Sequence, residues 1–171
     1  MNQPKLEDFP QFYRRYIEKV IDQDIILYFE KQKISTVDFF NSIGEEKSNY
    51  RYADGKWSIK QILGHICDAE RIFVTRMLQF ARKESQSLPG FNEDEYVAAA
   101  NFDDLELELL IDDFSKLREA NLSLFRTFDD NIWGQRGIAN NTEYTVSSIV
   151  YIMAGHIDHH IKVIKERYLA D

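Results

Sequence analysis

Beyond an opening stretch of mixed aromatics and charges, apolar side chains recur along the chain at steps of three and four, the spacing of one face of an α-helix. The opening predicts at most a short helix from Pro10 into the Tyr-Arg-Arg-Tyr run, with Asp22 capping the segment that follows. In that segment Ile26, Phe29, Lys33, Thr36, Val37, Phe40 and Ile43 share a face, and Gly44 stands where a glycine would end the helix. Residues 45–56 are polar and hold an Asp-Gly turn, so they read as a loop. A second helix is expected from Ser58 as N-cap, with Ile62, Ile66, Ala69, Ile72, Phe73, Met77 and Phe80 as its apolar set. Residues 82–103 form a long crossover with a short helical turn in Glu93–Ala100. Leu107, Leu110, Phe114, Leu117, Asn121, Leu124 and Phe128 make the heptad seam of a third helix. Residues 128–144, rich in Gly and Asn, read as loop, and Tyr144 or Thr145 opens a fourth helix whose last turns carry Lys162, Lys165 and Arg167, suited to the negative end of its dipole.

Four amphipathic helices with two long connections predict an all-α, four-helix bundle with long crossovers. Its length of 171 residues fits one domain spanning 1–171. Only seven Gly and three Pro interrupt the chain, which favours long helices over many short strands. The formal net charge of −8 would repel a phosphate backbone, so nucleic acid is not expected as a partner. No apolar run is long enough for a membrane span and the start lacks an apolar leader, so a cytoplasmic location is expected. The lone Cys67 has no internal disulfide partner, in keeping with a reducing compartment.

The candidate chemistry lies in the histidines. With about 100° per residue and His156 set to zero, His160 falls at about 40°, within the apolar arc of Ile149, Ile152, Met153, Ile157 and Ile164. His159 falls at about −60°, on the edge of that arc, and is expected outside any shared site. His156 and His160, at i and i+4, therefore present two imidazoles inward, one turn apart, and can share a divalent metal ion. On the second helix His65 flanks the arc of Ile62, Ala69, Ile72 and Phe73, which brings a third ligand within reach. A lone inward histidine is ordinarily a core residue bonded to a neighbour, and for His65 by itself that reading leads. Two inward imidazoles without partners would each cost roughly 1–3 kcal/mol, which turns the pattern toward a metal. Asp68 either orients an imidazole or is solvated; Asp158 points away from the His156 face and is expected at the surface. Arg76, three turns below His65, is either an anion clamp or an arginine snorkelling past the core, and the pattern favours snorkelling. Cys67 lies about 160° from His65 on the helix and is not expected as a ligand.

The stretches Trp57-Ser-Ile-Lys-Gln-Ile-Leu-Gly-His65-Ile-Cys-Asp68-Ala-Glu-Arg-Ile-Phe73 and Gly155-His-Ile-Asp-His-His160-Ile-Lys-Val-Ile-Lys-Glu-Arg-Tyr168 resemble the DinB/YfiT-like superfamily of metal-binding bundles. The resemblance extends over nearly the whole chain, including the Pro89–Phe102 crossover. It places the family's three metal ligands on His65, His156 and His160. It also implies a thiol chemistry, because members include metal-dependent transferases and isomerases that use low-molecular-weight thiols such as bacillithiol or mycothiol. The expectation is one divalent ion, Zn or Ni being suited to imidazole, with a small-molecule thiol and an electrophile as partners. Hydrolysis by a metal-activated water is a second reading. In a third, the protein is non-catalytic, with a structural ion or a bundle that serves mainly to form a homodimer.

Overall fold

A computed structural model describes residues 3–170, and four long helices dominate it: α1 (Ile25–Ile43), α2 (Ile59–Ala81), α3 (Leu107–Phe125) and α4 (Val146–Val163). The sides of the bundle are the pairs α1–α3, α3–α2, α2–α4 and α4–α1. This is the expected four-helix bundle, with α2 and α4 adjacent.

The local signals explain most of the helix ends. Ser58 accepts a hydrogen bond from the Gln61 backbone N–H while the Gln61 side chain accepts from the Ser58 N–H, a reciprocal cap that fixes the start of α2. The Thr145 hydroxyl accepts from Ser148 N and starts α4. Gly44 ends α1 at φ 75°, where a side chain would be strained. The cap of α1, however, is Asp24 rather than Asp22: the Asp24 carboxylate accepts from Leu27 N at 3.2 Å. The buried face of α1 accordingly runs Ile25, Phe29, Gln32, Thr36 and Phe40, one position away from the face centred on Ile26 and Lys33. On α3 the buried face includes Arg118, Leu122 and Phe125, while Leu117 and Leu124 are only partly buried.

The connections hold more structure than expected. Residues 45–56 contain a short helix, Glu45–Ser48. The expected helical turn in the crossover is a helix at Glu93–Ala99. The stretch 128–144, expected to be loop, contains a hairpin of β1 (Arg136–Ala139) and β2 (Thr142–Thr145), in register Ala139 to Thr142 and Arg136 to Thr145. Its turn places Asn140 and Asn141 at φ 49° and 60°, the left-handed region that asparagine tolerates and a tight hairpin requires. Leu88 N donates to Ile138 O and Asn140 N to Leu88 O, both at 2.9 Å, so the crossover is laced to the hairpin. A short helix, Arg14–Ile17, packs on α4, and it does so through Gly155: a Cβ there would stand 2.1 Å from the Tyr16 carbonyl oxygen.

The apolar interior forms two clusters. One gathers Phe29, Phe73, Phe80, Phe125, Trp133 and Met153; the other Phe40, Leu63, Ile66, Phe114 and Ile157. A polar network crosses the interior and touches every long helix. Arg118, fully buried, donates from Nε to Glu70 at 2.7 Å and from Nη1 to Gln32 at 3.1 Å, with its guanidinium 3.6 Å from the Phe29 ring centre. Asn121 donates to the other Glu70 oxygen at 2.8 Å. Gln32 in turn donates to Ala154 O at 2.9 Å and to Asp158 at 2.7 Å, and the Tyr28 hydroxyl donates to Asp158 at 2.7 Å. Asp158 is therefore a link between α1 and α4 and not a surface acid.

Candidate metal centre

His65 comes from the second turn of α2, and His156 and His160 come from successive turns of α4, near the level where the two apolar clusters meet. The Nε2 atom of His156 lies 3.1 Å from that of His65 and 2.9 Å from that of His160. One ligand atom from each of the three histidines falls within 4.8 Å of the other two. Sequence reasoning proposed this trio, and the fold brings it together.

The convergence has a physical consequence. At Nε2 a neutral imidazole carries either one proton or one lone pair, so His156 can make one good hydrogen bond there, yet two ring nitrogens crowd it. A cation at the meeting point would instead be faced by three lone pairs. Ligand distances of about 2.0–2.1 Å in tetrahedral geometry imply nitrogen separations of about 3.3 Å, a few tenths of an ångström wider than those observed. The protonation states agree with the same use. Burial pulls the pKa of His65 down to about 4, and it holds His156 and His160 well below the ordinary value, with neighbouring imidazoles adding to the effect. All three are thus neutral at physiological pH, the state in which imidazole binds metal.

Aromatic rings fix the orientation of the imidazoles. Trp57 packs on His65 at 4.8 Å between ring centres, and its carbonyl accepts a hydrogen bond from the Tyr168 hydroxyl at 2.8 Å, so the loop before α2 is tied to the end of the chain's last helical turn. Tyr16 meets His156 edge-on at 5.7 Å. His159 stays outside the cluster, its ring against Tyr16 and His160 at 5.3 Å. Asp68 is half-buried on another side of α2, where Arg71 and Asp113 are its charged neighbours. Cys67 is buried in the second apolar cluster, and that burial raises its thiol pKa well above the usual value.

The three histidines line a cavity of about 450 Å³. Its walls draw on the N-terminal segment (Tyr13, Arg15, Tyr16), on α2 (Ala69, Phe73, Arg76) and on the hairpin (Asn140, Thr142, Tyr144). Arg76 does not snorkel to solvent: it is 6% exposed and donates to Pro89 O at 2.7 Å. The hairpin and N-terminal contributions escaped sequence reasoning because the first requires strands of four residues each and the second rests on a close packing contact at Gly155.

Comparison with known proteins agrees with this architecture. The family model of the DinB superfamily matches residues 28–164. A protein of Oceanobacillus iheyensis, named as a candidate metal-dependent hydrolase, is 26% identical over 152 residues, covering 86% of this chain and 87% of its own. The structure of YfiT from Bacillus subtilis, described as a probable metal-dependent hydrolase with an unusual four-helix bundle topology, superposes with a TM-score of 0.72. The superposition covers 96% of this chain and 91% of that one at 14% identity, a likeness of fold alone.

Proposed function

The chain belongs to the DinB superfamily, and from that premise we propose that it is a divalent-metal-dependent enzyme that transfers a low-molecular-weight thiol to a small electrophile. The observation that carries this reading is the convergence of His65, His156 and His160 in the wall of a cavity of about 450 Å³. The three would hold the ion, and a coordination position facing the cavity would remain for a thiol or water. When bound, a divalent ion of this kind lowers the pKa of a thiol or water beside it and so supplies a nucleophile at neutral pH.

The protein's own residues fit the rest of the task. The thiol proton leaves to solvent, the sulfur forms a bond to the electrophilic carbon, and the leaving group departs with the electron pair of the bond that breaks. Cys67, buried and held as a thiol, is not that nucleophile. Trp57, Tyr16 and Phe73 line the cavity beside the three histidines and give it aromatic walls for the body of a small electrophile. Hydrolysis is the second reading, favoured by the names of the Oceanobacillus and Bacillus proteins.

The test is metal analysis of the purified protein, followed by conjugation assays with bacillithiol, mycothiol, glutathione and coenzyme A against a generic electrophile. The reading expects one equivalent of ion, Zn or Ni being suited to imidazole, and a rate with at least one thiol that disappears in His156→Ala together with the metal. His159→Ala should keep both. Rates equal to the metal-free background with all four thiols would remove the transferase reading, and ester or amide substrates would then test the hydrolytic one.

A further inference from the structure

Arg76 is a buried cation without a buried anion. It is 6% exposed, and among the described residues its polar contact is a single hydrogen bond to the Pro89 carbonyl, with the Phe91 ring centre 5.8 Å away. No carboxylate lies within ion-pair distance of it among the described residues, although other arginines of α2 and α3 have such partners: Arg71 with Asp113, Arg118 with Glu70. A guanidinium taken out of water is costly unless its donors meet an acceptor of opposite charge. Here the remaining donors border open space. Arg76 lines the cavity of the histidine cluster and stands between it and a second, more open depression of about 380 Å³. Its charge is felt by Tyr13, which lines the first of these and not the second.

The rest of the cavity describes what would lie between. His65 and Arg76 are eleven residues apart on one helix, about 16 Å of rise and about 20° of turn, so both leave the same face of α2 and both line the cavity. Ala69 and Phe73 occupy the turns between them and present an apolar wall. Glu93, the acidic side chain on the cavity lining, is solvent-exposed and forms no ion pair with Arg76.

We propose that this cavity takes a small molecule with an oxyanion head, a carboxylate or a phosphate, on an apolar body: Arg76 binds the head, Ala69 and Phe73 contact the body, and the reacting end meets the histidine cluster. The placement of the reacting end rests on the metal reading above; the oxyanion contact does not require the ion. Planar, forked donors in a partly desolvated wall suit both head groups.

Isothermal titration calorimetry of the metal-loaded and metal-stripped protein tests this with 4-phenylbutyrate, 3-phenylpropyl phosphate and the neutral 4-phenylbutyramide. At least one anion should bind about tenfold or more tighter than the amide, the ratio a charge-assisted hydrogen bond supports, in both forms of the protein. Whichever anion binds tighter identifies the head group. Arg76→Gln, which can keep the bond to Pro89, should bring the anions down to the amide, whereas Arg71→Gln should leave the preference intact. Should Arg76→Gln not fold, Arg76→Lys decides, since keeping the charge but losing the fork should shrink the preference without abolishing it. Equal binding of anion and amide to the wild type would overturn the proposal. So would a preference that survives Arg76→Gln and vanishes when the metal is stripped, because the ion would then be the binding group. A wild type that takes up no ion but keeps the preference would sustain the oxyanion site and overturn the metal reading instead.

Discussion

Arg118 shows what a single residue can hide from a sequence. A charged side chain within a heptad of leucines reads as solvent-facing, and the expected seam of α3 accordingly ran through Leu117 and Leu124; in the fold Arg118 is fully buried and those leucines are only partly so. What decides the matter is Glu70, which sits on α2, forty-eight residues away, and meets the guanidinium at 2.7 Å. A partner so distant leaves no local signal. The histidines behaved differently, because the i, i+4 pair and the apolar arc around it are local, so His156 and His160 were legible and His65 followed from its own helix. Arg118 also yields a prediction. Replacing it by Met leaves Glu70 as an uncompensated buried charge and should cost about 3–5 kcal/mol, read as a lower urea midpoint. Adding Glu70→Leu should recover much of that loss, since both charges are then gone. A double variant as unstable as the single one would show that the pair contributes through the surrounding network and not through its own charge balance.

At the scale of elements, the four helices and their caps were readable wherever the stop or start signal is local, as at Ser58, Thr145 and Gly44. The hairpin was not. Its strands are four residues each, too short for alternation to stand out, and an Asn-Asn turn is a weaker hairpin signal than Asn-Gly. Glu45 shows how such connecting segments hold the helices. Its carboxylate accepts from the buried Lys60 ammonium of α2 at 2.5 Å and, through the other oxygen, from Leu107 N at the start of α3 at 2.8 Å. Those two contacts pull the Glu45 pKa below its usual value, with the Lys60 bond the larger cause. A carboxylate with a depressed folded pKa stabilises the protein fully above its unfolded value near 4.5, and that contribution disappears as pH falls through the folded value. Glu45→Gln should therefore lower the melting temperature at neutral pH by about 1–3 °C, roughly 0.5–1 kcal/mol once solvent screening of the half-exposed carboxylate is counted. The difference between variant and wild type should shrink in acid, below about pH 4. A deficit that stays constant from neutral pH into acid would mean the carboxylate charge is not what holds the two helices.

Across the whole molecule, the histidine cluster lies at the junction of two apolar clusters, each packed by its own aromatic and aliphatic side chains and neither containing a histidine. That arrangement separates folding from metal binding. Unlike a small zinc module, which has little else to hold it, this bundle has two apolar clusters and the Arg118 network, none of which includes a ligand histidine, so it should fold without an ion. An ion that binds the folded form alone then adds RT ln(1 + [L]/Kd), about 2.7 kcal/mol at a hundredfold excess over Kd, and about 1.4 kcal/mol for each further decade of free ion. At roughly 2–4 °C per kcal/mol for a chain of this size, saturating ion should raise the melting temperature by about 5–10 °C. The measurement is thermal unfolding followed by circular dichroism in metal-buffered solutions of graded free zinc or nickel, with His156→Ala alongside. The wild-type melting temperature should climb with free ion while the variant's stays flat, and helical content at room temperature should be the same with and without chelator. Unfolding on chelation would mean that the ion is part of the core, as the structural reading of the site holds. A wild type whose melting temperature ignored the ion over the whole range would show that the three imidazoles hold no metal, despite their convergence.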